Sequence, residues 1–272
     1  MTPALHFAHA NGFPGASYQS LFTHLAPDYQ LHWIDQVGHA KPAQIAPNWQ
    51  GLCQEVLDSV THLYQKQHQA VWGVGHSLGG VLTYMAMLEQ PHLFKGIILL
   101  DPPLMLGIDA YLIKLAKRLG WIDRLTPAAK TQGRRTVWPS TEAMYQHLHK
   151  KALFRHFHPQ ALADYIQAGT QPNPQGGIRL RFQPEVELAI FRHLADHLQG
   201  THKRLACPVA VIAGQNSDVV TPRRFRQFQA AGFCMSQIAG DHMFPFQYPQ
   251  ATAAAIHAQI QAWQRLDIRE SS

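Results

Sequence analysis

The 272-residue sequence predicts an α/β fold: a mainly parallel sheet of six strands, with helices on both faces and an inserted helical cap. Short apolar runs alternate with longer segments in which apolar residues recur at helical spacing, as expected where helices connect parallel strands. Hydrophobic residues make up 46% and charged residues 15% of the chain, the composition of a folded globular protein. About a hundred residues of helical pattern interrupt the alternation once, which indicates an insertion.

The predicted strands are short runs of apolar residues bounded by polar residues, glycine or proline. They cover residues 5–8, 31–34, 70–74, 96–100, 209–213 and 233–238. The predicted helices of the core cover residues 18–25, 52–67, 78–89, 223–230 and 251–266. Every predicted strand except the fourth is followed directly by a helix, so crossover connections and parallel pairing are expected.

After the fourth strand, no further strand is predicted before residue 209. Prolines divide the intervening chain, and apolar residues recur there at helical spacing, for example Leu112, Leu115, Ala116 and Leu119. We therefore expect a helical cap over residues 102–204 and a core formed by residues 1–101 and 205–272. Ligands bind at the carboxyl ends of the strands in open parallel sheets, so a cap at this point would shape a pocket and exclude water from it.

The formal net charge of +6 is concentrated in the inserted segment. Residues 102–204 contain fifteen Lys or Arg against seven Asp or Glu, a net charge of +8, which leaves net −2 for the rest of the chain. The basic residues are scattered among acidic ones, which favours a solvated helical surface over a nucleic-acid-binding surface. Attraction of an anionic small-molecule substrate is the alternative interpretation of this charge.

The ends and cysteines of the chain indicate a cytoplasmic protein. The first residues show no basic start followed by an apolar run, and polar residues or prolines interrupt every stretch long enough to span a bilayer. Cys53, Cys207 and Cys234 are widely spaced and form no CxxC pattern, so neither a disulfide framework nor a thiolate metal site is expected.

The segment GVGHSLGG, residues 73–80, lies between an apolar run and a helical run. Gly75, Ser77 and Gly79 fit the G-x-S-x-G elbow, in which a strand turns sharply into a helix and exposes a nucleophilic serine. Glycines on both sides remove β-carbons that would collide in so tight a turn. A serine that merely caps the helix is the alternative, but capping does not require these glycines. The pattern predicts Ser77 as the nucleophile and the Leu78 amide as one donor of an oxyanion hole.

A serine hydroxyl is a poor nucleophile unless a positioned base takes its proton, so a histidine and an orienting carboxylate are also expected. His242 follows the last predicted strand and precedes the final helix, which allows it to reach Ser77 from the carboxyl edge of the sheet. This position distinguishes it from the other histidines of the chain. Two aspartates also follow predicted strands: Asp101 ends the run GIILLDPP, and Asp218 follows the fifth strand.

These motifs resemble the capped branch of the α/β-hydrolase superfamily. The residues VAVIAGQNSDVVTP, 209–222, look like the strand and turn that carry the family's acid, and the match falls on Asp218. The residues AGDHMFPFQYP, 239–249, are similar to the turn that carries the family's histidine, which matches His242. The resemblance thus implies a triad of Ser77, Asp218 and His242 in the order that this family uses. Asp101 is the alternative acid, because some family members draw it from the earlier strand.

The second oxyanion donor is expected in the loop HANGFPG, residues 9–15, which is similar to the family's HG-x-x-G loop. If Asn11 and Gly12 stand for the family's His-Gly pair, the donor is the amide of Phe13. If His9 stands for that histidine, the donor moves toward Asn11. Pro14 and Gly15, which follow, favour Phe13.

The resemblance implies a serine hydrolase that cleaves a carboxylic ester or related acyl bond of a small molecule, without a cofactor, a metal or a nucleic-acid partner. Similar capped proteins include thioesterases, carbon-carbon bond hydrolases, cofactor-free haloperoxidases and non-catalytic ligand-binding homologues, and these alternatives stay open. A serine at position 77 argues against dehalogenases and epoxide hydrolases, which need an aspartate there.

Overall fold

The computed structural model describes residues 2–39, 45–126, 131 and 133–270. Its strands are β1 (Ala4–Ala8), β2 (Gln30–Trp33), β3 (Val71–His76), β4 (Phe94–Leu100), β5 (Val137–Trp138), β6 (Thr170–Pro172), β7 (Ile178–Leu180), β8 (Val209–Gly214) and β9 (Cys234–Ile238). Six of them form one sheet in the order β2-β1-β3-β4-β8-β9, and every neighbouring pair in it is parallel. The predicted fold class and its six-stranded sheet are confirmed.

The helices of the core are α1 (Gln19–Leu25), α2 (Gln50–Gln67) and α3 (Leu78–Glu89) before the insertion. Within the inserted chain lie α4 (Ile108–Arg118), α5 (Ile122–Leu125), α6 (Thr141–His149), α7 (Pro159–Gly169) and α8 (Pro184–Arg192). The chain then forms α9 (Pro222–Ala230), α10 (Phe244–Gln247) and α11 (Pro249–Glu270). In the part of the chain that the structure describes, no helix combines the length and the apolar character needed to cross a membrane.

Helices cover both faces of the sheet, and this explains the apolar sequences of the central strands. On one face, α2 and α3 pack with buried side chains such as Val60 and Leu82. On the other face, α1 and α11 contribute Phe22 and Ile256 to a second apolar cluster. Since β3 and β4 lie between these layers, they have few polar residues, as parallel strands buried on both sides require.

The inserted chain between β4 and β8 differs in one respect from the predicted helical cap. Besides α4 to α8 it contains a small antiparallel sheet in the order β5-β7-β6. These strands have only two or three residues each, too few to show the alternation of polar and apolar residues by which a strand is predicted. The inserted segment is therefore a mixed helical and β-structure layer.

Candidate active site

Ser77 lies at the sharp turn between β3 and α3, in a backbone conformation that side-chain-bearing residues rarely adopt. Its φ is 53° and its ψ is −117°, and its amide donates to the Leu100 carbonyl at 2.9 Å. A β-carbon on Gly75 would collide with the backbone of Gly79, and one on Gly79 would collide with the Ala8 carbonyl. Both glycines are therefore required for this turn, as the elbow motif predicts.

Three side chains from separate elements form a continuous hydrogen-bonded row. The Ser77 Oγ atom lies 3.0 Å from His242 Nε2. His242 Nδ1 lies 2.6 Å from Asp101 Oδ2. The hydroxyl, the imidazole and the carboxylate thus stand in the order by which a histidine base and its orienting acid activate a serine.

Asp101 follows β4 directly and is fully buried, with a φ of 47°. Its Oδ2 atom also accepts a hydrogen bond from the Ser217 hydroxyl at 2.5 Å, and its Oδ1 atom accepts one from the Gly214 amide at 3.3 Å. These donors come from β8 and the turn after it. They fix the carboxylate so that its remaining acceptor position faces His242.

The structure corrects the predicted acid, because it places Asp101 against His242 where the sequence motif predicts Asp218. Asp218 is exposed in the turn after β8. Among the hydrogen bonds and ion pairs of the described residues, none joins Asp218 to His242. The physical reason is the path of this turn: Ser217 points inward onto Asp101, and the next side chain points into solvent.

The amide of Leu78, which the sequence predicts as the first oxyanion donor, lies at the start of α3. The amides of the first turn of a helix have no carbonyl partner within the helix, so they point outward and can bind an anion. The next amide, of Gly79, donates to the His9 carbonyl at 3.1 Å. This bond holds the loop after β1 against the nucleophile turn.

Phe13 is not placed as the second donor. Its amide donates to the Ala10 carbonyl at 3.1 Å and closes a turn, so this N–H is already used. Its ring packs against those of Tyr165 and Phe246. The Phe13 amide is therefore not free to act as the predicted second donor, and the alternative register, with a donor near Asn11, stays a prediction.

His9 has a structural role in this loop. Its Nε2 atom accepts a hydrogen bond from the Val37 amide at 2.8 Å, and Nδ1 donates to the Ala10 carbonyl at 2.8 Å. The side chain is fully buried, and burial lowers its pKa to about 4. The neutral imidazole therefore braces residues 9–15, called the oxyanion loop after their predicted role, from within the protein.

A second buried histidine, His76, links the loop after β1 to the loop of His242, and no sequence motif predicts this link. Its Nε2 atom lies 2.9 Å from the His242 carbonyl, and its Nδ1 atom lies 2.7 Å from the Tyr18 hydroxyl. A carbonyl only accepts, so Nε2 donates and Nδ1 accepts from Tyr18. The Tyr18 oxygen in turn accepts from the Ala10 amide at 3.2 Å. Burial holds the pKa of His76 well below its ordinary value, which keeps the ring neutral.

The inserted segment contacts the oxyanion loop through Glu187 on α8. The Glu187 carbonyl accepts a hydrogen bond from the Asn11 side-chain amide at 3.0 Å, and its carboxylate pairs with Arg134 at 2.8 Å. A β-carbon on Gly12, whose φ is 80°, would lie 2.9 Å from Glu187 Oε2. Burial raises the pKa of Glu187 to about 7, and the charge of Arg134 opposes this increase. Glu187 therefore stands close against the backbone of the oxyanion loop.

Comparisons with known proteins agree with this architecture. A type I acyl-CoA thioesterase, mpaH, of Penicillium roqueforti (strain FM164) is 27% identical over 151 residues, which make up 50% of this chain and 33% of that protein. A pimeloyl-[acyl-carrier protein] methyl ester esterase of Vibrio vulnificus (strain YJ016) is 31% identical over 103 residues, 37% of this chain and 38% of that protein. The match thus spans 33% and 38% of the length of these two relatives.

Solved structures match over nearly the whole chain. The structure of E-2-(acetamidomethylene)succinate hydrolase has a TM-score of 0.78 at 20% identity, covering 95% of this chain and 91% of that one. The peroxisomal alpha-beta-hydrolase Lpx1 of Saccharomyces cerevisiae has a TM-score of 0.73 at 19% identity, covering 96% of this chain and 77% of that one. At such identities the likeness shows the fold. A family model described as the alpha/beta hydrolase family matches residues 7–255, well over half of the sequence, and the chain therefore belongs to that family.

Proposed function

We propose that this chain is a serine hydrolase that cleaves a carboxylic ester or a related acyl bond, such as a thioester, through an acyl-enzyme intermediate. The observation that carries the proposal is the unbroken row from Ser77 Oγ to His242 Nε2, at 3.0 Å, and from His242 Nδ1 to Asp101, at 2.6 Å. In this proposal Ser77 is the nucleophile, His242 the base and Asp101 the orienting acid.

In the first half of the reaction, His242 Nε2 takes the Ser77 proton as Oγ attacks the acyl carbon. Asp101 accepts the Nδ1–H bond and stabilises the imidazolium. The amides of Leu78 and Asn11 bind the oxyanion that forms on the acyl oxygen. When the tetrahedral intermediate collapses, the imidazolium returns its proton to the leaving oxygen or sulfur, which departs as an alcohol or a thiol.

In the second half, His242 takes a proton from water, and the hydroxide attacks the acyl carbon of the Ser77 ester. The bond to Ser77 Oγ breaks, the serine regains its proton from the imidazolium, and a carboxylic acid is released. All proton transfers use Nε2 of one histidine. This mechanism needs no cofactor and no metal.

The inserted chain, residues 102–204, acts in this proposal as a cap above the carboxyl edge of the sheet. The contacts of Glu187 with Asn11 and Gly12 support that placement, because they set α8 against the oxyanion loop. The names of the two relatives, a thioesterase and a methyl ester esterase, support acyl-bond cleavage on a small-molecule substrate.

A fluorophosphonate label together with p-nitrophenyl esters and acyl-CoA thioesters tests the assignment. We expect the label on wild-type protein and no label on Ser77→Ala. Asp101→Asn should lower kcat by about 10⁴-fold, since the imidazole loses its orienting carboxylate. The matched variant Asp218→Asn should retain wild-type turnover.

The reverse result for the two aspartates, with Asp218→Asn inactive and Asp101→Asn active, would contradict the assignment of the acid. A folded wild-type protein that takes no label would contradict the nucleophile. Labelling without turnover of any ester or thioester would favour a ligand-binding homologue or cleavage of a different bond.

A further inference from the structure

Helix α4 and the turn after it expose a row of large apolar side chains to solvent. Positions 108, 111, 112, 115 and 119 recur at i, i+3, i+4, i+7 and i+11 and thus share one face of the helix, and Trp121 follows in the turn after it. Each is about half or more exposed: Ile108 62%, Tyr111 63%, Leu112 59%, Leu115 53%, Leu119 49% and Trp121 53%. We call this row the apolar ridge.

The opposite face of α4 attaches the helix to the rest of the protein. Ala110 is fully buried and Ala116 is 4% exposed. Lys117, on the same side, donates to Asp196 Oδ2 at 2.8 Å. The small residues allow close packing, so the helix is held with its larger side chains facing outward. An exposed apolar surface of this kind marks a site of interaction in a folded protein.

The free charges beside the apolar ridge have one sign. Asp109 pairs with Arg224 at 3.3 Å, and Asp123 pairs with Arg192 at 2.6 Å. Lys114, Arg118 and Arg124 are exposed, and none of them takes part in an ion pair within the described residues. The neutralised carboxylates and unpaired cations leave this surface locally positive.

The exposed apolar side chains and the unpaired cations together indicate which kind of partner binds the apolar ridge. A second copy of the chain would bring cations against cations if the two ridges met. A lipid surface accepts a convex apolar ridge without a matching groove, and anionic headgroups attract the cations beside it. A tryptophan at the end of such a ridge has the amphipathic ring found at membrane interfaces.

We propose that α4 and Trp121 dock on an anionic lipid surface. The consequence for catalysis rests on the proposed function: a docked enzyme would take amphiphilic acyl substrates from that surface. Only residues 102–107 separate Asp101 from α4, so docking occurs close in sequence to the acid of the site.

Sedimentation with vesicles tests the docking without any turnover. The probe is phosphatidylcholine vesicles with about a third of phosphatidylserine, compared with phosphatidylcholine alone. We expect wild-type protein to pellet with the anionic vesicles. Leu112→Glu combined with Leu115→Glu should lower the partition coefficient by more than ~10-fold, since both charges enter the apolar layer. The matched control Leu266→Glu, at a leucine that is 54% exposed on α11, should pellet as wild type does.

The cations give an independent readout. Lys114→Gln and Arg118→Gln should each weaken binding to anionic vesicles about fivefold. Circular dichroism and thermal melting of every variant establish that each is folded.

Wild-type protein that stays in the supernatant, or a double-glutamate variant that pellets like Leu266→Glu, would overturn the proposal. So would a wild-type dimer that the two glutamates dissociate without vesicle binding, because that result assigns the ridge to a second copy. Failure of the proposed function is seen separately, as loss of fluorophosphonate labelling with vesicle binding retained.

Discussion

At the scale of single residues, the proposed nucleophile and the proposed acid share an unusual backbone conformation. The φ of Ser77 is 53° and that of Asp101 is 47°. Holding a residue with a β-carbon in this conformation costs about 1–3 kcal/mol of folding free energy, and the surrounding structure must offset that cost. Hydrogen bonds from the Ser77 amide to Leu100 and from the Asp101 amide to Ile212, both 2.9 Å, hold these turns.

This conformation predicts that a glycine at position 77 is more stable than an alanine. Ser77→Gly removes the β-carbon that the turn strains, but its unfolded chain has the larger conformational entropy. We expect the first effect to be larger, so that the free energy of unfolding of Ser77→Gly exceeds that of Ser77→Ala by about 1 kcal/mol. Urea denaturation of the two inactive variants measures the difference. An alanine variant as stable as the glycine variant would mean that the turn carries no strain.

The hydroxyl of Tyr18 serves two partners, so Tyr18→Phe should affect catalysis as well as stability. The change leaves His76 Nδ1 and the Ala10 amide buried without a partner, which costs about 1–3 kcal/mol for each. We expect a lower kcat with little change in KM, because the hydrogen bonds that connect the His242 loop, through His76, to the loop after β1 are lost.

A matched control exists at Tyr29, whose hydroxyl also bonds a histidine, His257, at 3.0 Å, but away from the site. Tyr29→Phe should leave kcat unchanged. Steady-state kinetics and urea denaturation of both variants make the comparison. Equal effects of the two changes on kcat would show that the Tyr18 hydroxyl only stabilises the fold.

At the scale of elements, Glu187 on α8 makes the stability of the fold depend on pH. The pKa of Glu187 is about 7 in the folded protein, above its ordinary value of 4.5. The unfolded chain therefore releases this proton at lower pH than the folded protein does. The contribution of Glu187 to folding stability is complete below pH 4.5 and falls as the pH rises toward 7.

Glu187→Gln removes this dependence. Between pH 4.5 and 7, the free energy of unfolding of the variant relative to wild type should rise by about 1.4 kcal/mol per pH unit. Urea denaturation at several pH values measures it. Parallel curves for the two proteins would contradict the raised pKa.

The elements also show which parts of the site the sequence could predict. Ser77 and His242 were predictable because the elbow motif and the last strand fix their positions within a few residues. Asp101 is the alternative acid on sequence grounds, since both aspartates follow strands at the same edge of the sheet. The path of the turn after β8, which directs Ser217 inward, decides between them, and spacing does not encode that path.

The small strands of the inserted chain and the bonded amide of Phe13 escape sequence-based prediction for similar reasons. Strands as short as β5, with two residues, give no periodic signal. The alignment of glycines and prolines points to Phe13, whereas the availability of its amide depends on whether that amide is already bonded to Ala10. His76 and Tyr18 were missed because a hydrogen bond across 58 positions leaves no local pattern.

At the scale of the whole molecule, the folded chain buries several neutral histidines. Burial lowers the pKa of His6 to about 3 and that of His9 to about 4, and it lowers the pKa of His76 well below 6.5. The unfolded chain protonates these side chains near pH 6.5, and the folded chain does not. Their contribution to stability is thus present above pH 6.5 and is lost as the pH falls.

We therefore expect the free energy of unfolding to fall between pH 6.5 and pH 5. Each of the three histidines lowers the free energy of unfolding by about 1.4 kcal/mol for each pH unit of acidification. Glu187 has an effect of the same size and opposite sign. Chemical denaturation across this range measures the net effect. His6→Gln should reduce the slope by one proton. An unchanged slope in that variant would contradict the buried neutral state of His6.

The order of the strands has a further consequence for how the enzyme could be switched off. The strands that precede Ser77 and Asp101, β3 and β4, are neighbours at the centre of the sheet, whereas His242 follows β9 at the rim, which pairs with β8 alone. Local fraying of that outermost strand would move the His242 imidazole away from Ser77 and Asp101, which would keep their positions in the sheet. Activity would then disappear at a smaller free-energy cost than global unfolding, and amide hydrogen exchange in β9 would report the opening.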